Sequence, residues 1–181
     1  MEYDFIIAGF GGQGALLAGE VLATAFMDDG KYVTWYPSYG AEMRGGTVNC
    51  EVVMSEHEVS AVNKKEIDFL IALNQLSFDK FMSKVKEGGM VIANSSLVRE
   101  ICTRTDITCL FAPITKLAEN IGHIKLANIL ALGILAKASK LVSIESLMHA
   151  VEAVLPLHRR NLLQLNIEAL KIGYAYELVP A

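Results

Sequence analysis

Cysteine is scarce in this chain. Cys50, Cys102 and Cys109 are the only three in 181 residues. Their odd number and the lack of any C-x-x-C spacing argue against a disulfide framework, an iron–sulfur cluster and a structural zinc. The four histidines, His57, His123, His149 and His158, form no H-x-x-x-H pair, so no metal site is predicted. No basic run is present either: 16 Lys and Arg stand against 20 Asp and Glu, for a net charge of −4, which excludes nucleic acid as an expected partner. Long apolar runs are also missing. The most apolar stretch, Leu126 to Ala136, contains Asn128 and is bounded by Lys125 and Lys137, far short of the roughly 20 residues that span a bilayer. The acidic start, Met1-Glu2-Tyr3-Asp4, lacks the basic region of a signal peptide, so a cytoplasmic location is expected. Neither G-x-S-x-G nor the phosphate loop G-x-x-x-x-G-K-[ST] occurs, and no catalytic residue is assigned.

What is present is apolar. Hydrophobic residues make up 52% of the chain, and the mean hydropathy is +0.36. Two explanations stand side by side: a large partner interface, or a deeply buried α/β core.

The order of elements predicts an α/β fold. Phe5-Ile6-Ile7-Ala8 is a short apolar run of the kind buried on both faces of a parallel sheet. Ala15 to Met27 suits a helix, ended by Asp28-Asp29 with Gly30 as a left-handed cap. Lys31 to Tyr36 reads as a second strand. Thr47 to Met54 alternates, with Val48, Cys50, Val52 and Met54 on one face, which predicts a strand with a wetter face, antiparallel or near an edge. Ile67 to Leu73 is a further buried strand. Asn74 or Ser77 caps the next helix, whose apolar face is Phe78, Phe81, Met82 and Val85, and Gly88-Gly89 stops it. Met90 to Ala93 and Ile107 to Ala112 complete the strands. Thr115 to Ile121, Lys125 to Ser139, a Ser143-capped segment to Val154, and Arg160 to Tyr176 are read as helices. The expected architecture is a three-layer, mostly parallel Rossmann-like sheet with helices on both faces and a helical C-terminal segment. No linker or repeat interrupts it, so residues 1–181 are read as a single domain. The helix from Lys125 to Ser139, or the last one, is the expected partner-binding element.

Two segments carry the functional signal. Gly9-Phe10-Gly11-Gly12-Gln13-Gly14 matches G-x-G-x-x-G between a predicted strand and a predicted helix. Such glycines let the backbone approach a phosphate, and the helix N-terminus supplies free N–H groups. A dinucleotide site also needs an acid near the end of the second strand, yet Val33-Thr34-Trp35-Tyr36-Pro37 contains none. The glycines serve either close strand-to-helix packing or a phosphate-like contact, and a complete NAD site is disfavoured. The second segment, Pro37 to Gly46, places Tyr39, Glu42 and Arg44 among glycines beyond a strand end. Arg44 suits a bidentate clamp on a carboxylate or phosphate, with Glu42 holding it. The plain alternative is a solvated loop. Asp68 reads as a structural acceptor.

Taken together, Phe5-Ile6-Ile7-Ala8-Gly9-Phe10-Gly11-Gly12-Gln13-Gly14 and Tyr36-Pro37-Ser38-Tyr39-Gly40-Ala41-Glu42-Met43-Arg44-Gly45-Gly46 resemble the gamma subunit of 2-oxoacid:ferredoxin oxidoreductases, above all the 2-oxoglutarate type. Asn128-Ile129-Leu130-Ala131-Leu132-Gly133, and Pro156 with the helix after it, extend the resemblance over nearly the whole chain. It implies a multi-subunit enzyme that oxidatively decarboxylates a 2-oxoacid to its acyl-CoA and reduces ferredoxin or flavodoxin. Thiamine diphosphate, Mg²⁺ and iron–sulfur clusters are then held by alpha, beta and probable delta subunits, and no cofactor is bound by this chain alone. The gamma chain is implied to have a structural or coenzyme A-facing role. Gly9, Gly11, Gly12, Gln13 and Gly14 are carried over as cofactor-facing positions, and Tyr39, Glu42 and Arg44 as an interface or ligand-facing loop. The competing expectation, resting on the glycine turn alone, is a stand-alone Rossmann-type dinucleotide-binding protein.

Overall fold

The apolar run at the N-terminus sits where its composition requires, in the middle of a six-stranded sheet. The computed structural model describes residues 1–38, 47–59, 65–99 and 102–178. The strands are β1 (Glu2–Phe10), β2 (Tyr32–Ser38), β3 (Thr47–Ser55), β4 (Ile67–Ala72), β5 (Val85–Asn94) and β6 (Thr108–Ala112). Their spatial order is β2-β3-β1-β4-β5-β6. β3 runs antiparallel to both β1 and β2, while β1, β4, β5 and β6 pair in parallel, so only β3 is reversed.

Strand alternation divides the core. Phe5 and Ile7 of β1 face the larger layer, built from α1 (Ala15–Asp28), α3 (Ile114–Asn120), α4 (Ala127–Ser139), α5 (Ile144–Val154) and α6 (Leu163–Ala175). Ile6 and Ala8 face a smaller cluster under α2 (Gln75–Phe81). Helices thus cover both faces, unequally. Phe5 stacks on Phe69 with ring centroids 4.8 Å apart, anchoring β1 to β4.

Local signals fix several helix ends. Gly30, at φ +76°, donates to the Met27 carbonyl while Lys31 N donates to Phe26, closing α1 in the expected left-handed manner. The Asn74 side chain accepts from Ser77 N at the start of α2, and Ser143 accepts from Ser146 N at the start of α5.

Four expectations need correction. The helix predicted to run through Val85 stops at Phe81, and Val85 already begins β5, with Gly88 and Gly89 inside the strand where the β4–β5 register shifts. Glycine there permits a bulge rather than ending a helix. β3 does not present a wet face: Cys50 to Ser55 are all buried, with α1 packed over Cys50, Val52 and Met54 and with β1 and β2 on either side. The Lys125–Ser139 segment is no free partner face, since every residue from Ala127 to Ala136 of α4 is buried. A helix apolar all round belongs inside a protein, and much of the apolar excess goes there. Finally, Cys102 and Cys109 are joined as a disulfide. The chain reverses between them before β6, an approach that spacing alone does not reveal.

Cys50 is buried between β3 and α1, with its Sγ 3.4 Å from the Ala15 carbonyl. Burial pushes its thiol from the ordinary 9.0 up to about 12. The neutral thiol therefore contributes stability that is fully present below pH 9 and is lost as pH rises from about 9 towards 12. A maleimide should leave Cys50 unmodified in the native protein and label it fully in denaturant. Cys50→Ala should flatten the alkaline decline in unfolding free energy.

No helix among the described residues is long and apolar enough to cross a membrane.

Candidate functional site

In sheets of this kind ligands meet the carboxyl ends of the strands, where the chain leaves in opposite directions from neighbouring strands. Here that point lies at β1 and β4. β1 leads through the glycine turn into α1, and β4 leads through Leu73 and Asn74 into α2.

The turn is tight because Gln13 N donates to the Phe10 carbonyl at 3.0 Å. Gly12, at φ +96°, and Gly14, at φ +77°, occupy the left-handed region that side chains disfavour. Gly14 also begins α1 without a side-chain cap, and the first turn of that helix carries no acid. The uncapped N–H groups and helix dipole therefore favour negative charge at this end. Gly14 is held from the opposite side by Asn128, whose Nδ2 donates to the Gly14 carbonyl at 2.9 Å. A methyl group on Gly14 would lie 2.5 Å from that nitrogen. Gly14→Ala should therefore both strain the turn and dislodge Asn128, lowering the unfolding free energy by about 2 kcal/mol, readable by urea titration.

Gln13 does not reach outward. Its Oε1 accepts from Phe10 N at 2.6 Å and from Asn74 Nδ2 at 2.8 Å, and its Nε2 donates to the Leu73 carbonyl at 3.3 Å. Asn94, fully buried at the end of β5, donates to the same carbonyl at 3.0 Å and to Thr115 Oγ1 at 2.8 Å. Its Oδ1 accepts from Thr115 N at 3.1 Å. A polar ligature thus ties the ends of β1, β4 and β5 to the start of α3. Gln13 is legible in the glycine turn and Asn128 in the family-like segment that it begins, whereas nothing in the sequence marks Asn94 and Thr115 as members of the site. The signal for those two is an amide or hydroxyl beside an apolar run.

Above this ligature lies a notch of about 210 Å³, lined by Gly12, Gln13, Leu97, Thr115, Ile124 and Lys125. Gly9 is buried in β1, and Gly11 and Gly12 are exposed at the rim. Tyr39, Glu42 and Arg44 lie outside the described residues. A larger hollow of about 520 Å³, lined by Glu2, Asp4, Lys65, Glu66, Asp68 and Lys86, sits at the opposite, amino edge. There Asp68 accepts from Asp4 N at 3.0 Å and pairs with Lys86, whose ammonium it holds above the usual lysine range. Both oxygens of Asp68 are thus engaged in holding strands.

The topology disfavours a dinucleotide. The strand whose end supplies the ribose-binding acid is β2, and β3 is inserted between β2 and β1. That end lies two strand spacings from the turn, about 10 Å instead of 5 Å. β2 itself, from Tyr32 to Ser38, carries no acid. The described residues contain no group of three or more His, Cys, Asp or Glu placed to hold a metal.

Comparison with known proteins places this geometry. Residues 4–176 match the family model described as pyruvate ferredoxin/flavodoxin oxidoreductase. The 2-oxoglutarate synthase subunit KorC of Methanocaldococcus jannaschii is 34% identical over 177 residues, covering 96% of this chain and 93% of the relative. Ketoisovalerate oxidoreductase subunit VorA of Methanothermobacter marburgensis is 38% identical over 129 residues, and the match spans 71% of this chain but only 27% of that longer protein. Among solved structures, the gamma subunit of a keto/oxoacid ferredoxin oxidoreductase from Geobacter sulfurreducens superposes with a TM-score of 0.82 at 33% identity, covering 95% of this chain and 96% of the other. With a family match running through nearly every described element, the chain belongs to the pyruvate ferredoxin/flavodoxin oxidoreductase family.

Proposed function

We propose that this chain is the gamma subunit of a multi-subunit, cytoplasmic 2-oxoacid:ferredoxin or flavodoxin oxidoreductase, with residues 1–181 as one gamma-type domain. The carrying observation is the end-to-end correspondence with KorC, at 96% and 93% coverage. The same correspondence supports 2-oxoglutarate as the oxoacid, since the VorA match is confined to a quarter of a longer chain.

In this reading the alpha and beta subunits, with a delta subunit, hold thiamine diphosphate, Mg²⁺ and the iron–sulfur clusters. Thiamine diphosphate supplies carbanion stabilisation after decarboxylation. The cysteines of this chain do not suit an iron–sulfur cluster: Cys102 and Cys109 are paired with each other, and Cys50 is buried. The contribution of the gamma chain is positional. Gly9, Gly11, Gly12, Gln13 and Gly14 form a rigid turn, and the uncapped start of α1 beside Lys125 offers a cationic rim to coenzyme A. Tyr39, Glu42 and Arg44 remain proposed, from the sequence, as an interface or ligand-facing loop.

Affinity purification of the tagged chain from its native cell tests the reading. Thiamine-enzyme subunits should co-purify, and the eluate should reduce a dye in the presence of coenzyme A and 2-oxoglutarate. A lone chain without such activity overturns it. Activity with another 2-oxoacid overturns only the substrate assignment.

A further inference from the structure

Lys125 separates the notch at the glycine turn from a second one. This second hollow, also of about 210 Å³, lies between α1, the turn before α4 and the 3-10 segment Leu157–Leu162. Its walls bring together His123, Lys125, Arg159 and Asn166 over an apolar floor that includes Leu155 and Leu162. No acidic residue among the described ones lines it, although the chain as a whole carries a net charge of −4. Neither Lys125 nor Arg159 has a carboxylate partner among the described residues. His123 Nδ1 accepts from Lys125 N at 3.2 Å, which leaves the proton on Nε2 as a further donor. Two large apolar side chains are exposed on the segments that line it: Leu157, on the turn that carries Arg159, is 81% exposed, and Ile124, between His123 and Lys125 at the edge of the first notch, is 53% exposed.

A small, cation-lined hollow beside exposed apolar side chains fits the anatomy of a protein interface, in which a desolvated anchor sits within an apolar surround. Its volume is below the roughly 300 Å³ at which cofactor pockets begin, and it matches one side-chain head group. We propose that this hollow is a docking site for an acidic segment of a partner subunit, which inserts a carboxylate between Lys125 and Arg159 and lays an apolar side chain across Leu157 and Ile124. The proposal rests on the gamma-subunit reading and adds to it the surface and the chemistry of the partner. Charge complementarity selects an acidic segment, and an isologous contact with a second copy of this chain would set the same cations against each other.

The test uses the assembled enzyme. The tagged chain, co-expressed with the thiamine-bearing subunits, is compared with the K125E/R159E double variant and with Leu157→Asp. Both variants should keep the wild-type thermal midpoint, because the altered side chains are exposed. Both should retain at most a tenth of the wild-type yield of co-purified subunits, and K125R/R159K should restore assembly. Wild-type association should weaken as salt is raised, and Leu157→Asp should keep that salt dependence. Folded K125E/R159E that assembles like wild type overturns the proposal. So does stabilisation of the isolated chain by acetate, inorganic phosphate or coenzyme A that depends on Arg159 while assembly is unaffected by the double variant. Failure of the wild-type chain itself to assemble removes the gamma-subunit reading, and the docking site with it.

Discussion

Gly133→Ala and Gly173→Ala are each expected to lower the unfolding free energy by about 2–3 kcal/mol, against the usual benefit of about 1 kcal/mol for replacing glycine by alanine within a helix. The reason is the close crossing of α4 and α6. A methyl group on Gly133 would press into the Leu170 carbonyl, and one on Gly173 into the Leu130 carbonyl. Both obstacles are backbone, so no side-chain rotation relieves them. The two helices would have to separate, opening the layer around Leu130, Leu170 and Ala169, all of which are fully buried. Once separated, the second methyl group costs less than the first, so the double variant should lose less than the sum of the two single losses. Urea titration of the three variants measures this. Losses below about 0.5 kcal/mol would show that the helices slide apart freely.

The second large effect lies at the carboxyl edge. Asn94→Ala should cost about 3 kcal/mol, because it removes the buried partner of Thr115 N and leaves a small void at a fully buried site. Asn94→Asp keeps the shape but brings a charge into the same place. Burial raises the pKa of the new carboxyl in the folded state, so its ionisation opposes folding. The stability of this variant should therefore fall as pH rises above about 4, the ordinary aspartate value, and should approach that of the wild type as pH is lowered towards it. Unfolding titrations at pH 4.5 and pH 7.5 decide the matter. An equal deficit at both values would mean that the site admits water. The glycine turn should loosen in both variants, since Asn94 and Gln13 share the Leu73 carbonyl.

Much of this architecture is legible in the chain. Phe5 to Ala8 reads as a buried strand because no polar residue interrupts it, and β1 lies at the centre of the sheet. Gly30 and Ser143 mark helix ends because local backbone geometry needs no distant partner. The Val85–Gly89 segment was misread for the opposite reason. Phe78, Phe81, Met82 and Val85 fit a helical spacing, yet Val85 is drawn into β5 by pairing with Ile67 of β4. Long-range pairing overrides local period wherever both are available. The alternation of β3 predicts a strand antiparallel or near an edge with a wetter face; it is antiparallel and next to the edge strand, but the wetter face fails, since burial depends on what distant parts of the chain cover it.

The site divides along the same line. The glycine turn is written in consecutive residues, because a strand-to-helix reversal is made by neighbours, and its missing ribose acid is equally visible. The disulfide closes over 7 residues, the Asn94–Thr115–Gln13 ligature spans residues 13 to 115, and Arg159 reaches Lys125 from the far side of α4 and α5. By itself, the amino-acid order determined the strands and helices, the turn with its glycines, and the family to which they correspond. Only the tertiary structure decided that β3 enters between β1 and β2, that α4 is interior, and which cations share a hollow. Local backbone preferences act over a few residues, whereas those three outcomes depend on which distant surfaces exclude water from one another.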